Sequence, residues 1–141
     1  MTAELEVAGV ILDCWDAVEK GDFERLASHY DVGRFTLFSE HPPHGPEEGE
    51  RALLLKRGLI TQVSGIEVEV RDVRVSVFGD VALATYLVKY KGMLVYQYRF
   101  EGQLISVTAF CSSVLVRGSE GWKIVHEHFT RIPEQDEVTA R

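Results

Sequence analysis

The sequence predicts an α+β domain in which N-terminal helices pack into a strongly curved antiparallel sheet made by the C-terminal half. Two observations lead there. Apolar residues recur at helical steps up to about residue 60 and at every second residue from about 65 onward. Within the second half, Ile66, Val68 and Val70 alternate with charged neighbours, and then the parity flips to Val73, Val75 and Val77. A flip inside one strand requires a β-bulge or a bend that swaps the buried face, and bulges are how antiparallel sheets acquire strong curvature.

Leu5, Ala8, Ile11, Leu12, Trp15 and Val18 form the apolar stripe of a helix over about 3–20. Gly21 ends it, and Asp22 is a good N-cap for a second short helix with Phe23, Leu26, Ala27 and Tyr30 inward. A short strand over 34–39 precedes the loop His41-Pro42-Pro43-His44-Gly45-Pro46, whose prolines exclude regular structure. A third helix spans about 48–60, apolar at Ala52, Leu53, Leu55, Leu59 and Ile60. Gly79-Asp80 and Lys91-Gly92 are turn signals that separate strands at about 73–78, 81–90 and 93–100. The stretch 93–117 reads either as one long strand bent at Gly102 or as two strands. Gly118-Ser119-Glu120-Gly121 turns the chain into a last strand over 122–130. One domain therefore occupies 1–133, followed by a polar tail at 134–141.

The chain has 141 residues and is 45% hydrophobic, ordinary for a globular domain. Its net charge of −7 shows no basic stripe, which argues against a nucleic-acid partner. No run of about 18 apolar residues exists, so no membrane partner is expected. The start at Met1 lacks a basic stretch followed by an apolar one, and a cytoplasmic location is the expectation. Cys14 and Cys111 fit no zinc spacing and read as small buried apolar residues. Several strands are apolar on both faces, as with Leu83 and Leu87 against Ala84, Tyr86 and Val88. One face can cover the helices. The other then asks for a partner, which predicts a homodimer through the outer sheet face.

The ending Gly121-Trp122-Lys123-Ile124-Val125-His126-Glu127-His128-Phe129 resembles the C-terminal strand of SnoaL-like families in the NTF2-like (cystatin-like) superfamily. Glu19-Lys20-Gly21-Asp22-Phe23 is similar to that superfamily's junction of the first two helices, and Gly79-Asp80-Val81-Ala82 to its characteristic hairpin. Val114-Leu115-Val116-Arg117 runs into the Gly-Trp turn in the same manner, so the resemblance covers about residues 5–132. It implies a cone: a curved sheet around the first helix, with a cavity between them and commonly a dimer. Members include isomerases, cyclases, dehydratases and epoxide hydrolases, and also a non-catalytic kinase association domain. Fold therefore leaves function open.

An isomerase of this kind needs a carboxylate base and donors for the enolate oxygen. Where the superfamily's isomerase has its oxyanion tyrosine, this chain has Cys14, so that donor is missing. By that resemblance the base falls just before the loop proline, where the chain offers Ser39, Glu40 and His41-Pro42, with Glu40 the residue able to serve; the alternative is a solvated surface charge. His126 and His128 share one strand face, read together with Trp122 and Ile124. They offer either a general base or structural hydrogen bonds. No further ligand is set by spacing among His29, His41 and His44, so no metal is expected.

If the kinase association domain is the guide, Ser113, Glu127, Phe129 and Arg131 face inward, with Ser113 and Phe129 where that family has arginines. Trp15, Phe38 and Tyr86 are aromatic walls for a ligand, or core. No nucleotide or metal-protease motif occurs, and no cofactor is expected. Three functions follow: a module binding a small apolar or amphipathic molecule, an isomerase, cyclase or dehydratase using Glu40 or a strand histidine, and a pure oligomerisation domain.

Overall fold

A computed structural model describes residues 2–41, 45–96 and 101–133. Pro42, Pro43, His44, the 97–100 portion of the expected fourth strand and the tail from 134 lie outside the described residues.

Helix α1, Ala3–Lys20, is capped by the Thr2 hydroxyl, which accepts from Leu5 N at 3.2 Å, and is closed by Gly21 in the left-handed region. Its buried face is Val7, Ile11, Cys14, Trp15, Ala17 and Val18. Leu5 and Leu12, expected inward, lie at the exposed margin of that stripe. Asp22 caps α2, Phe23–Ala27, through a bond from Arg25 N at 3.1 Å. A 3-10 turn, Val32–Arg34, leads to strand β1, Thr36–Phe38, then β2, Pro46–Glu48, and helix α3, Gly49–Thr61.

Four long strands follow: β3, Val63–Phe78; β4, Val81–Tyr96; β5, Glu101–Gly118; and β6, Gly121–Ile132. With β1 and β2 they make one six-stranded sheet in the order β2-β1-β6-β5-β4-β3. All neighbours are antiparallel except β1 and β6, which run parallel, so the sheet is mixed.

The parity flip in β3 is a register shift between Arg71 and Arg74, with Asp72 at φ 56°. A second irregularity lies between Ser64 and Glu67, where Gly65 takes φ 63°. Each left-handed residue adds local twist, and the curved sheet closes over α1 as the expected cone.

Two expectations need correction. Lys91-Gly92 is no turn: both residues sit inside β4, paired with Ser106 and Ile105. A Cβ on Gly92 would come within 2.5 Å of Val63 Cγ1 and 3.1 Å of Ser64 O. Glycine is there because the start of β3 crosses it closely. Likewise Gly102 lies near the start of β5, opposite Val95, so residues 93–96 belong to β4.

The second correction concerns β6. A register shift opposite Val114 and Leu115 leaves Val125 without an opposing residue and reverses the faces. Trp122 and Ile124 point inward before it, and Glu127 and Phe129 after it. His126 and His128 therefore do not share a face with Trp122 and Ile124.

Candidate functional site

Inside the cone, apolar walls surround a small set of polar side chains. Lys56 from α3 and Glu127 from β6 are both buried, with Nζ 3.0 Å from Oε1. Tyr30 donates to the same Glu127 oxygen at 2.9 Å. The ammonium lies 4.6 Å from the Phe129 ring centre and 5.3 Å from that of Trp15, so aromatic faces supply the rest of its surroundings. Burial opposes the charged form of Lys56, yet the carboxylates of Glu127 and Glu40 outweigh it and hold its pKa above the usual lysine value. This lysine stays an ammonium. It is no nucleophile at neutral pH.

Around this pair the interior is closed by hydrogen bonds and stacked rings. Trp15 Nε1 donates to Tyr86 Oη at 2.8 Å, and Trp15 stacks on Tyr90 with centroids 5.9 Å apart. Ser113 is buried beside Cys111, Oγ to Sγ 3.5 Å. Burial, followed by the nearby Glu127 charge, raises the pKa of Tyr30 and Cys14 and pushes the Cys111 thiol up to about 12. Burial also raises that of Tyr86. Both cysteines are free, buried and protonated at neutral pH, consistent with their reading as core residues.

A second polar group stands where β1 ends. Glu40 is 7% exposed; Tyr90 donates to its Oε2 at 2.9 Å and Ser39 to its Oε1 at 3.1 Å. His41 Nε2 lies 2.6 Å from Tyr90 Oη. Tyr90 Oη has one hydrogen, which it donates to Glu40, so the contact with His41 runs from Nε2–H to Tyr90 Oη. Burial, then the Glu40 charge, raises the Tyr90 pKa strongly.

Beyond this group, between α3 and the part of the sheet where β4 ends and β5 begins, opens a half-enclosed cavity of about 340 Å3. Leu55, Leu59, Val63, Leu94, Ile105 and Val107 form its apolar wall, and Ser39, His41, Gln62 and Arg131 its polar edge. A smaller space of about 20 Å3 adjoins it, reaching Glu40, Lys56 and Phe129. The two share Ser39, His41, Leu55 and Leu59.

The residues singled out from sequence separate into three places. Trp15, Tyr86, Ser113 and Glu127 are in the closed interior, and Glu40 stands at its edge. Arg131 reaches the cavity. Phe38, His126 and His128 are on the outer face of the sheet. Phe38 is 38% exposed, His128 lies against it with ring centres 5.1 Å apart, and His126 Nδ1 is 2.6 Å from Thr36 Oγ1.

Lys56, the interior's central cation, was missing from that set, although its position three residues after Leu53 and three before Leu59 places it on the buried face of α3. Among the described residues, no three His, Cys, Asp or Glu side chains gather where they could hold a metal ion. Nor is any described helix long and apolar enough to cross a membrane.

A profile of the SnoaL-like domain matches residues 7–133. The chain belongs to the SnoaL-like family. This SnoaL-like protein is also similar in fold to several solved structures. An NTF2-like superfamily protein from Salmonella enterica superposes with a TM-score of 0.79 at 19% identity, over 93% of this chain and 92% of that one. A candidate dehydratase of the NTF2-like family from Streptomyces avermitilis gives 0.76 at 24% identity, over 92% and 96%. The CaMKII hub of S. rosetta gives 0.72 at 21% identity, over 90% and 95%. At these identities the likeness is one of fold alone. No curated protein matches the chain.

Proposed function

We propose that this SnoaL-like protein binds a small apolar or amphipathic molecule in the cavity at the end of the cone. The observation that carries the reading is the cavity itself: about 340 Å3, half-enclosed, lined mainly by apolar side chains of α3 and the sheet, with Ser39, His41, Gln62 and Arg131 as its polar lining. That size and that division between apolar wall and few polar groups suit a small organic ligand. The smaller space that adjoins the cavity reaches Lys56, whose ammonium pairs with Glu127.

Gly58 provides the test, because it lies on the cavity wall within α3 and a Cβ there meets only the flexible Gln62 side chain, at 3.7 Å. Calorimetric titration with small apolar and amphipathic molecules is expected to give binding to the parent and none to Gly58→Phe. Equal binding to both places the ligand elsewhere.

Self-association through the outer sheet face belongs to the same proposal. Leu83, Phe110 and Phe38 leave apolar surface there, with Phe110 58% exposed. Similar solved structures include CaMKII hub and association domains.

A second reading, an isomerase, cyclase or dehydratase with Glu40 as general base, has one observation in its favour. Glu40 is buried beside the cavity, and Tyr90 and Ser39 fix both of its oxygens. His126 and His128, on the outer face, do not enter that scheme. Turnover that disappears in Glu40→Gln while binding persists would favour it.

A further inference from the structure

The small space next to the cavity has an unusual boundary. It measures about 20 Å3, room for roughly one water-sized group, and its polar lining is Lys56, Glu40, Ser39 and His41. Lys56 carries three donors, of which Glu127 takes one at 3.0 Å. Each oxygen of Glu40 accepts one hydrogen bond, from Ser39 and Tyr90 respectively, and each keeps a second lone pair. The space is thus lined by both a cationic donor, Lys56, and a carboxylate acceptor, Glu40.

We propose that this space is a hydroxyl subsite, taking the terminal hydroxyl of an alcohol whose apolar body lies in the larger cavity. The inference rests on the larger cavity being the ligand site. A hydroxyl is the group that answers both walls, since it accepts from Lys56 and donates to Glu40.

Other head groups fail for separate reasons. A carboxylate is too large for the space and sets a third negative charge beside Glu40 and Glu127. An ammonium meets Lys56. An ether oxygen accepts from Lys56 and adds no donor to the remaining lone pairs of Glu40. Selection therefore comes from groups left buried and unpaired by the wrong ligand, which discriminates more sharply than apolar contact does. Leu55, Leu59 and Ile105 on the cavity wall would hold an unbranched or compact apolar tail.

Calorimetric titration of the full chain at neutral pH with 1-hexanol, methyl pentyl ether, hexanoate and hexylamine tests this directly. The expected result is 1-hexanol binding at least about tenfold tighter than each of the others. In Glu40→Gln, which keeps the shape and removes the charge, hexanoate is expected to gain several-fold relative to 1-hexanol. Equal affinities across the series, or hexanoate the tightest, overturn the hydroxyl subsite and leave the larger cavity as a ligand site. No binding by any of the four, or 1-hexanol binding that Gly58→Phe does not weaken, overturns the cavity reading together with the subsite. The series on the parent protein decides the matter even where the Glu40→Gln variant is too unstable to titrate.

Discussion

Lys56 and Glu127 face each other at 3.0 Å in the interior of the cone, from a helix and a strand more than seventy positions apart in sequence. The pair ties α3 to the last strand, and α3 in turn forms one wall of the cavity. A buried pair of this sort contributes little net stability when both members are present, because desolvation offsets attraction. Its removal by halves is another matter.

Lys56→Met leaves Glu127 buried without its cation, and a loss of about 3–5 kcal/mol is expected. The double variant Lys56→Met with Glu127→Gln is expected to recover a large part of that loss, because no uncompensated charge remains. Urea denaturation of the two singles and the double measures the coupling. Strictly additive losses would contradict the pairing.

Tyr90→Phe removes the hydroxyl that bonds Glu40 at 2.9 Å and His41 at 2.6 Å. A buried carboxylate deprived of a donor costs about 1–3 kcal/mol. Thermal unfolding is expected to show a clear drop, larger than that of Phe110→Leu on the outer face. An unchanged midpoint would mean the hydroxyl bridges nothing.

Alkaline pH should destabilise the fold early. Cys111 holds its proton up to about 12 when folded, against 9.0 for an ordinary thiol. A proton held more tightly in the folded state stabilises fully below the unfolded value, and the contribution disappears as pH rises through the folded one. The Cys111 share is therefore lost between pH 9 and about 12. Tyr30, Tyr86 and Lys56, all raised, add losses of the same sign above their ordinary values of 10.0 and 10.5. Unfolding free energies measured from pH 8 to 11 are expected to fall, and Cys111→Ala to flatten the first part of that fall.

Two glycines give opposite outcomes. Gly92→Ala drives a Cβ to 2.5 Å from Val63 and is expected to cost about 1–3 kcal/mol or more. Gly9 lies exposed within α1 with nothing inside 4 Å of the added atom, so Gly9→Ala is expected to stabilise by about 1 kcal/mol through helix propensity. Denaturation midpoints moving in the same direction would contradict the account.

Those two glycines also show what sequence does and does not reveal. The bulge at Asp72 was legible because apolar valines on either side of it keep count of the faces. The bulge at Val125 was hidden, since Glu127 inside and His126 and His128 outside are all polar and mark no face. Gly92 was misread because a glycine required by a crossing strand looks the same, in sequence, as one required by a turn. Lys56 was legible in spacing but masked by its charge, which ordinarily signals solvent. The hydrogen-bonded group Glu40, Tyr90 and His41 joins residues some fifty positions apart, a contact that no local pattern states.

Methyl-resolved NMR during titration with 1-hexanol tests the central claim, a ligand site at the end of the cone, most directly. Shifts confined to Leu55, Leu59, Val63, Leu94, Ile105 and Val107 are the predicted result. Shifts centred on Leu83, Leu87 and Val114 of the outer face, or none at saturating 1-hexanol, would contradict it.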